Sequence, residues 1–200
     1  MSHATVSSSP FRIGSKKLGM WLFIVSDALT FATLLVCYTY LRLASDSWPQ
    51  PFSFSPSIVF STLMTLVLLS SSVTMVAAVH AMQEGRRART VRWLLATMAG
   101  GALFVALHLT EWRHLILEEK VTPWANSWGT PLFGAAFFGI TGLHMLHVTV
   151  GVIYLGAIAA GVPAGKWSEE DVEVSGLYWH FVDLVWMFVF PMIYLMSVKP

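Results

Sequence analysis

Five long apolar stretches separated by short polar ones set the pattern of this chain. They run from about Leu18 to Leu41, Pro56 to Met82, Val91 to Leu117, Pro131 to Ala160 and Leu177 to Met196. Each has the length, roughly 20 residues or more, at which a helix crosses about 30 Å of hydrocarbon. The pattern predicts an all-α fold, a polytopic membrane bundle of five transmembrane helices. Residues 1–16 are polar, Ser-rich and interrupted by Pro10, and read as a flexible cytoplasmic arm. Residues 17–200 read as a single five-helix transmembrane domain. The arm lacks an apolar signal-peptide core, so the first stretch is expected to remain as a span. Two helix starts are marked locally. Ser55–Pro56 has the order of an N-cap followed by proline at the first helical position, and Ser168 to Asp171 resembles a capping box, which would start the last helix before the bilayer.

Composition agrees with this reading. Hydrophobic residues make up 56% of the 200 and charged residues 12%, the latter about half the share in a soluble protein. No basic run suggests nucleic acid, and the single cysteine, Cys37, excludes an intrachain disulfide. Five spans place the two ends on opposite sides. Arg12, Lys16, Lys17, Arg86, Arg87, Arg89, Arg92 and Lys166 fall on the N-terminal side, against Arg42, Arg113, Lys120 and Lys199 on the other. An excess of Lys and Arg marks the cytoplasmic side, so the expected topology is N-in, C-out.

Candidate chemistry lies in the polar residues inside the spans: Asp27, His80, His108, Glu111, His144, His147, His180 and Asp183. Ionisable groups at such depths are expensive and face protein or water rather than lipid. One reading is structural, with these groups bonding one another and fixing helix register. A second is a metal or haem site, since His144 and His147 lie three apart and Glu111-x-x-His114 is present. The second Glu-x-x-His of a di-metal carboxylate bundle is missing, and the HExxH pattern of zinc hydrolases is absent. A third is a proton or ion path, with Asp27 about 12 Å by helical rise from the cytoplasmic end; the chain lacks the repeated, broken-helix plan of secondary transporters. A fourth is a cleft facing another subunit and lipid. The second span is rich in hydroxyls (Ser61, Thr62, Thr65, Ser70, Ser71, Ser72, Thr74), and the fourth carries Ala135, Gly139, Gly142 and Gly151, all residue types that let membrane helices approach closely.

The motifs favour the fourth reading. His144–Gly151, HMLHVTVG, preceded by FFGITGL, resembles the GxHxxHV segment of subunit III of the haem-copper respiratory oxidases. Tyr178–Trp186, YWHFVDLVW, is similar to that family's most characteristic stretch, and Gly19–Phe31, GMWLFIVSDALTF, to its first shared helix. His80–Gly85, HAMQEG, and Glu111–Trp112 fall where the family places a His…EG turn and a glutamate-aromatic pair. The resemblance covers about residues 17–197 and points to the short five-helix bacterial form. It implies a non-catalytic subunit, with no haem, copper or other cofactor of its own, in the bacterial inner membrane. The haems and copper would sit in partner subunits, and phospholipid would be bound in a cleft that admits oxygen. The implied partners are subunit I directly, subunit II, a small subunit IV, membrane lipids and a supercomplex with a quinol-oxidising complex.

The resemblance also sets expectations for single residues. Asp27 stands where the long forms carry glutamate and where the short quinol-oxidase forms carry aspartate, whereas YWHFVD is more similar to the cytochrome c oxidases. Cytochrome c oxidase is the principal reading. The alternatives are a quinol oxidase subunit III, a related subunit of nitric oxide reductase clusters and, more remotely, a stand-alone b-type haem protein. Asp27 and His147, at similar depths, are expected to pair. His180 and Asp183 should bond neighbouring helices of the same chain, and Glu111 should form a salt bridge to Arg113 or Lys120. Together with His108 and His144 these form the expected intramembrane polar network. Trp48, Trp124 and Trp128 are expected as interface anchors, and Arg86, Arg87 and Arg89 as topology determinants touching lipid phosphates.

Overall fold

The computed structural model describes residues 14–125 and 130–199, and five helices in it are long and apolar enough to cross a membrane. They are α1 (Ser15–Ala44), α2 (Val59–Gln83), α3 (Arg87–Leu117), α4 (Pro131–Gly161) and α5 (Glu169–Val189). A π-helical turn, Phe54–Ile58, leads into α2. A second, Phe190–Tyr194, and a short 3-10 turn, Leu195–Ser197, extend α5. Ser55 is extended and Pro56 follows it, so the chain changes direction where the cap was expected, although no side chain caps this start. At α5 the capping box is complete: Ser168 Oγ accepts from the Asp171 amide, and the Ser168 amide donates to Asp171 Oδ2 at 2.9 Å. The helix therefore begins eight residues before Leu177.

Helices α2, α3, α4 and α5 close a ring, each packing on its neighbours, while α1 lies outside against α5 and α4. The pattern of α1 explains its position. Its buried residues, Ile24, Phe31, Leu35 and Tyr38, form one narrow stripe, and Leu22, Val36 and Leu43 point outward. At its start, Lys16 Nζ lies 2.6 Å from Asp171 and Lys17 also pairs with Glu173, tying the first turn of α1 to that of α5. α1 starts at Ser15, two residues earlier than the expected arm boundary; residues 1–13 of that arm lie outside the described residues.

α5 is the central element. Trp179 and Trp186, seven residues apart on one face, are both fully buried in the ring. Trp179 Nε1 donates to Ser71 Oγ at 3.0 Å, and Trp186 Nε1 donates to Thr65 Oγ1 at 3.0 Å, so both indoles bond α2. Room for Trp179 comes from glycine. A Cβ on Gly101 of α3 would overlap its ring, and one on Gly151 of α4 would stand 3.0 Å away. Gly142 receives Trp112 in the same way. Ala135 and Gly139 do not serve the expected role: both are exposed, and a Cβ on Gly139 would meet nothing within 4 Å. Trp124 projects outward at 84% exposure, as an interface anchor would. Trp48 is instead packed edge-on to Tyr38 and Phe133, and Trp128 lies outside the described residues.

Replacing Trp186 with alanine should remove contacts to the other three ring helices and cost about 3–5 kcal/mol. Trp186→Phe keeps most of the volume and removes one hydrogen bond, leaving Thr65 Oγ1 on the Ser61 carbonyl, for about 1 kcal/mol. Thermal unfolding of the solubilised protein should rank the midpoints wild type, W186F, W186A. Equal midpoints would show that the ring does not depend on this indole.

Candidate functional site: the buried polar residues

The buried polar side chains fall into three groups, each at a junction of helices. The first joins α1 to α4 and α5. Asp27 Oδ2 lies 3.3 Å from His147 Nε2, with side chains 14% and 15% exposed. Phe31 packs edge-on to the His147 ring, and Tyr178 of α5 donates to the His147 carbonyl at 2.9 Å. His147 Nδ1 is 2.8 Å from the Leu143 carbonyl, an acceptor, so this nitrogen carries a proton. A neutral imidazole would then present a bare Nε2 to the carboxyl group. Asp27 Oδ2 faces that nitrogen within ion-pair range and makes no hydrogen bond among the described residues.

The second group joins α2, α3 and the turn after α5. Glu111 Oε1 accepts from Ser61 Oγ at 3.1 Å, Oε2 accepts from the Tyr194 hydroxyl at 2.7 Å, and His108 Nδ1 is 3.7 Å from Oε2. The expected salt bridge to Arg113 or Lys120 is not formed. Glu111 points inward, with its side chain 9% exposed, whereas Arg113 and Lys120 are exposed on the outer surface. His114, three residues on, also turns out, toward Glu118 at 2.9 Å. The Glu111-x-x-His114 pair is thus split between the inside and outside of α3.

The third group joins α5 to α2. His180 Nδ1 lies 3.2 Å from Ser72 Oγ, and Asp183, one turn along the same face of α5, is buried. Here the neighbour is a helix of the same chain. With Thr74 and Thr97 sharing a hydrogen bond at 2.8 Å, most of the hydroxyls on α2 reach across to another helix. Ser70 and Thr62 bond their own backbone instead.

His108 and His144 behave differently from the expected polar network. Both are fully buried, and neither ring nitrogen of either has a hydrogen-bond partner among the described residues. They are packed as aromatic plates: His144 stacks on Trp186 at 4.9 Å, His108 meets Trp186 edge-on at 5.6 Å, and Phe104 touches both imidazoles. His144 faces the ring centre while His147 faces α1, so the two do not converge. Among the described residues no group of three or more His, Cys, Asp or Glu is placed to hold a metal. His80 is exposed beside Glu84 at the end of α2. Arg86, Arg87 and Arg89 are exposed in the α2–α3 turn and at the start of α3, with Arg86 3.2 Å from Glu84.

These junctions span the chain from α1 to the turn after α5, and so does the family match. Residues 6–198 match the family described as cytochrome c oxidase subunit III. The chain belongs to that family. Among its subunit III relatives, the quinol oxidase subunit 3 of Bacillus spizizenii is 34% identical over 185 residues, covering 90% of this chain and 86% of the relative. The cytochrome c oxidase subunit 3 of Alkalihalophilus pseudofirmus is 30% identical over 92% of this chain and 88% of its own length. The cytochrome bo(3) ubiquinol oxidase subunit 3 of Pseudomonas putida is 33% identical over 90% and 86%. In this subunit III chain the residues that carry the resemblance, HMLHV and YWHFVD, are also the ones that hold α4 and α5 to their neighbours.

Sequence reasoning missed Tyr178, Tyr194 and Ser61 as partners. The signal was present in the spacing: α2 and α5 run antiparallel, so Trp179 and His180 meet Ser71 and Ser72, and Trp186, two turns later in α5, meets Thr65 earlier in α2. Substitution at Asp27 separates a positioning role from an acid-base role. Asp27→Asn can donate to His147 Nε2 and should leave the yield and midpoint of the protein close to wild type. Asp27→Leu strands that nitrogen and should cost about 1–3 kcal/mol. Equal loss in both variants, read by thermal unfolding, would mean that the charge itself is required.

Proposed function

We propose that this chain is the non-catalytic subunit III of an aerobic haem-copper terminal oxidase in the bacterial inner membrane. It would bind subunit I directly, alongside subunit II and a small subunit IV, and would stabilise subunit I and sustain its proton uptake. The observation that carries the reading is the family match over residues 6–198. The geometry supports it. Asp27, His147, Glu111 and His180 are engaged by other residues of the chain, which suits a scaffold. The haems and copper belong to partner subunits in this reading, and a further association with a quinol-oxidising complex fits the same role.

Orientation follows from charge. The exposed Arg86, Arg87 and Arg89 lie on the same side as Lys16, Lys17 and Lys166, which favours N-in, C-out. These arginines are placed to touch lipid phosphates. Apolar side chains of α1 facing away from the ring, Leu22 at 65% and Leu43 at 81% exposed, suit a surface covered by lipid and by a neighbouring subunit. A cleft beside it would hold phospholipid and admit oxygen. Cytochrome c is the principal electron donor in this reading. A quinol donor is the second reading, favoured by Asp27 and by relatives at 34% and 33% identity that are named quinol oxidase subunits.

Deleting the chain should leave an oxidase that assembles its haems but loses activity over successive turnovers sooner than wild type. Asp183→Ala should lower the amount of chain recovered with the complex more than the turnover per haem. Unchanged turnover lifetime in the deletion strain would contradict the supporting role.

A further inference from the structure

Two cavities open between α2 and α3, on the edge of the ring opposite the one that α1 covers. One, of about 470 Å³, lies between the start of α2 and the last turns of α3. The other, of about 380 Å³, lies nearer the turn that joins the two helices. They share one face of each helix. On α2, Phe60 borders the first, and Leu63, Val67, Ser70 and Thr74 follow along the second at steps of three and four. On α3, Ala96 and Gly100 border the second cavity and Thr110, His114 and Leu117 the first. Leu103 and Leu107 continue the same steps between them. Positions three and four apart lie on one side of a helix, so the cavities are two openings of one groove.

Length and chemistry select what fits it. From Ala96 to Leu117 the groove runs about 32 Å along α3, the whole hydrocarbon thickness of about 30 Å. The acyl chains of one lipid reach about half of that thickness, whereas a membrane helix matches all of it. The hydroxyls along the groove are already used: Ser70, Thr74 and Thr110 donate to carbonyls of their own helices. The groove therefore calls for apolar surface rather than hydrogen bonds. Its half nearer the α2–α3 turn is floored by Ser70, Thr74, Ala96 and Gly100, residues small enough for another backbone to approach closely. The larger opening, walled by Phe60 and Leu117, takes a bulky side chain, and Arg113 and Glu118 border it where the polar flank of a helix would lie. Arg89, exposed and seven residues before Ala96, ends the same face of α3 beside Arg86 and Arg87. A second copy of this chain in the same orientation would set these arginines against their equals, and like charges across an interface are unfavourable.

We infer that the groove between α2 and α3 receives a single apolar transmembrane helix of a neighbouring subunit, with an acidic residue level with Arg89. α1 borders neither cavity, so this surface is separate from the one beside that helix. The inference rests on the reading above only in that the chain works inside a complex of several membrane subunits.

In the complex purified from native membranes, a benzophenone amino acid replaces Leu66, which borders the groove and is 55% exposed. Illumination should join the chain to a transmembrane peptide of a different subunit, with Asp or Glu in its flank on the side of the α2–α3 turn, as read by peptide mass spectrometry. Ser70→Trp and Ala96→Trp fill the groove from opposite walls, and each should lower the yield of that adduct about tenfold. Both positions are exposed, so the unfolding midpoint of the isolated chain should stay at the wild-type value, and haem recovered per chain should not change. Haem recovered with the wild-type chain checks the oxidase reading separately from the adduct. Adducts to lipid alone or to a second copy of this chain would overturn the inference. So would an adduct yield that neither tryptophan variant lowers, or a loss of haem in step with the adduct, which would mark a broad interface rather than a seat for one helix.

Discussion

The bundle depends on two indoles. Trp179 and Trp186 project from one face of α5 into the ring, and each gives its single N–H to a hydroxyl of α2. Between membrane helices there is little hydrophobic drive to associate, because lipid tails are as apolar as the side chains. Close packing and buried hydrogen bonds must supply the specificity instead. The two tryptophans provide both. The Trp179 ring fills the space left by Gly101 and Gly151, the Trp186 ring lies against His108 and His144, and their N–H groups fix which turn of α2 faces which turn of α5. Each such bond contributes about 0.6 kcal/mol, so register comes from several in series rather than from one.

A second constraint concerns α1, which has only a narrow stripe of contact. With so little buried surface, its rotation and depth rest on a few polar points: Lys16 and Lys17 at the membrane edge and the Asp27–His147 pair within. The inner pair sets Asp27 Oδ2 3.3 Å from His147 Nε2, a directional contact on a helix whose other faces are exposed.

The fold was largely legible because transmembrane length and apolar content are strong signals that tertiary context rarely overrides. The five spans, the capping box at Ser168 and the depth match of Asp27 with His147 could all be read from residue order. The roles of Glu111, His108 and His144 could not. Depth near the outer surface suggests a salt bridge from Glu111 to Arg113 or Lys120, yet two residues along a helix is about 200° of rotation, and the Glu111 carboxyl group turns inward to Ser61 and Tyr194. His108 and His144 were read by their polarity, and the packing uses their flat rings. Ala135 and Gly139 have the spacing of a packing motif but face away from the chain. Whether a small-residue face finds a helix is decided by its neighbours, which spacing alone does not reveal.

A scaffold subunit leaves redox chemistry to its partners, and this can be seen directly by colour. The chain, tagged and drawn from its native membranes, is examined by optical redox spectroscopy before and after its partners are stripped away. A subunit whose histidines serve packing and positioning should show haem absorbance that arrives with a larger partner and leaves with it. Haem absorbance remaining with the isolated 22.2 kDa chain would contradict this, and would make His108 and His144 ligands rather than parts of an aromatic core.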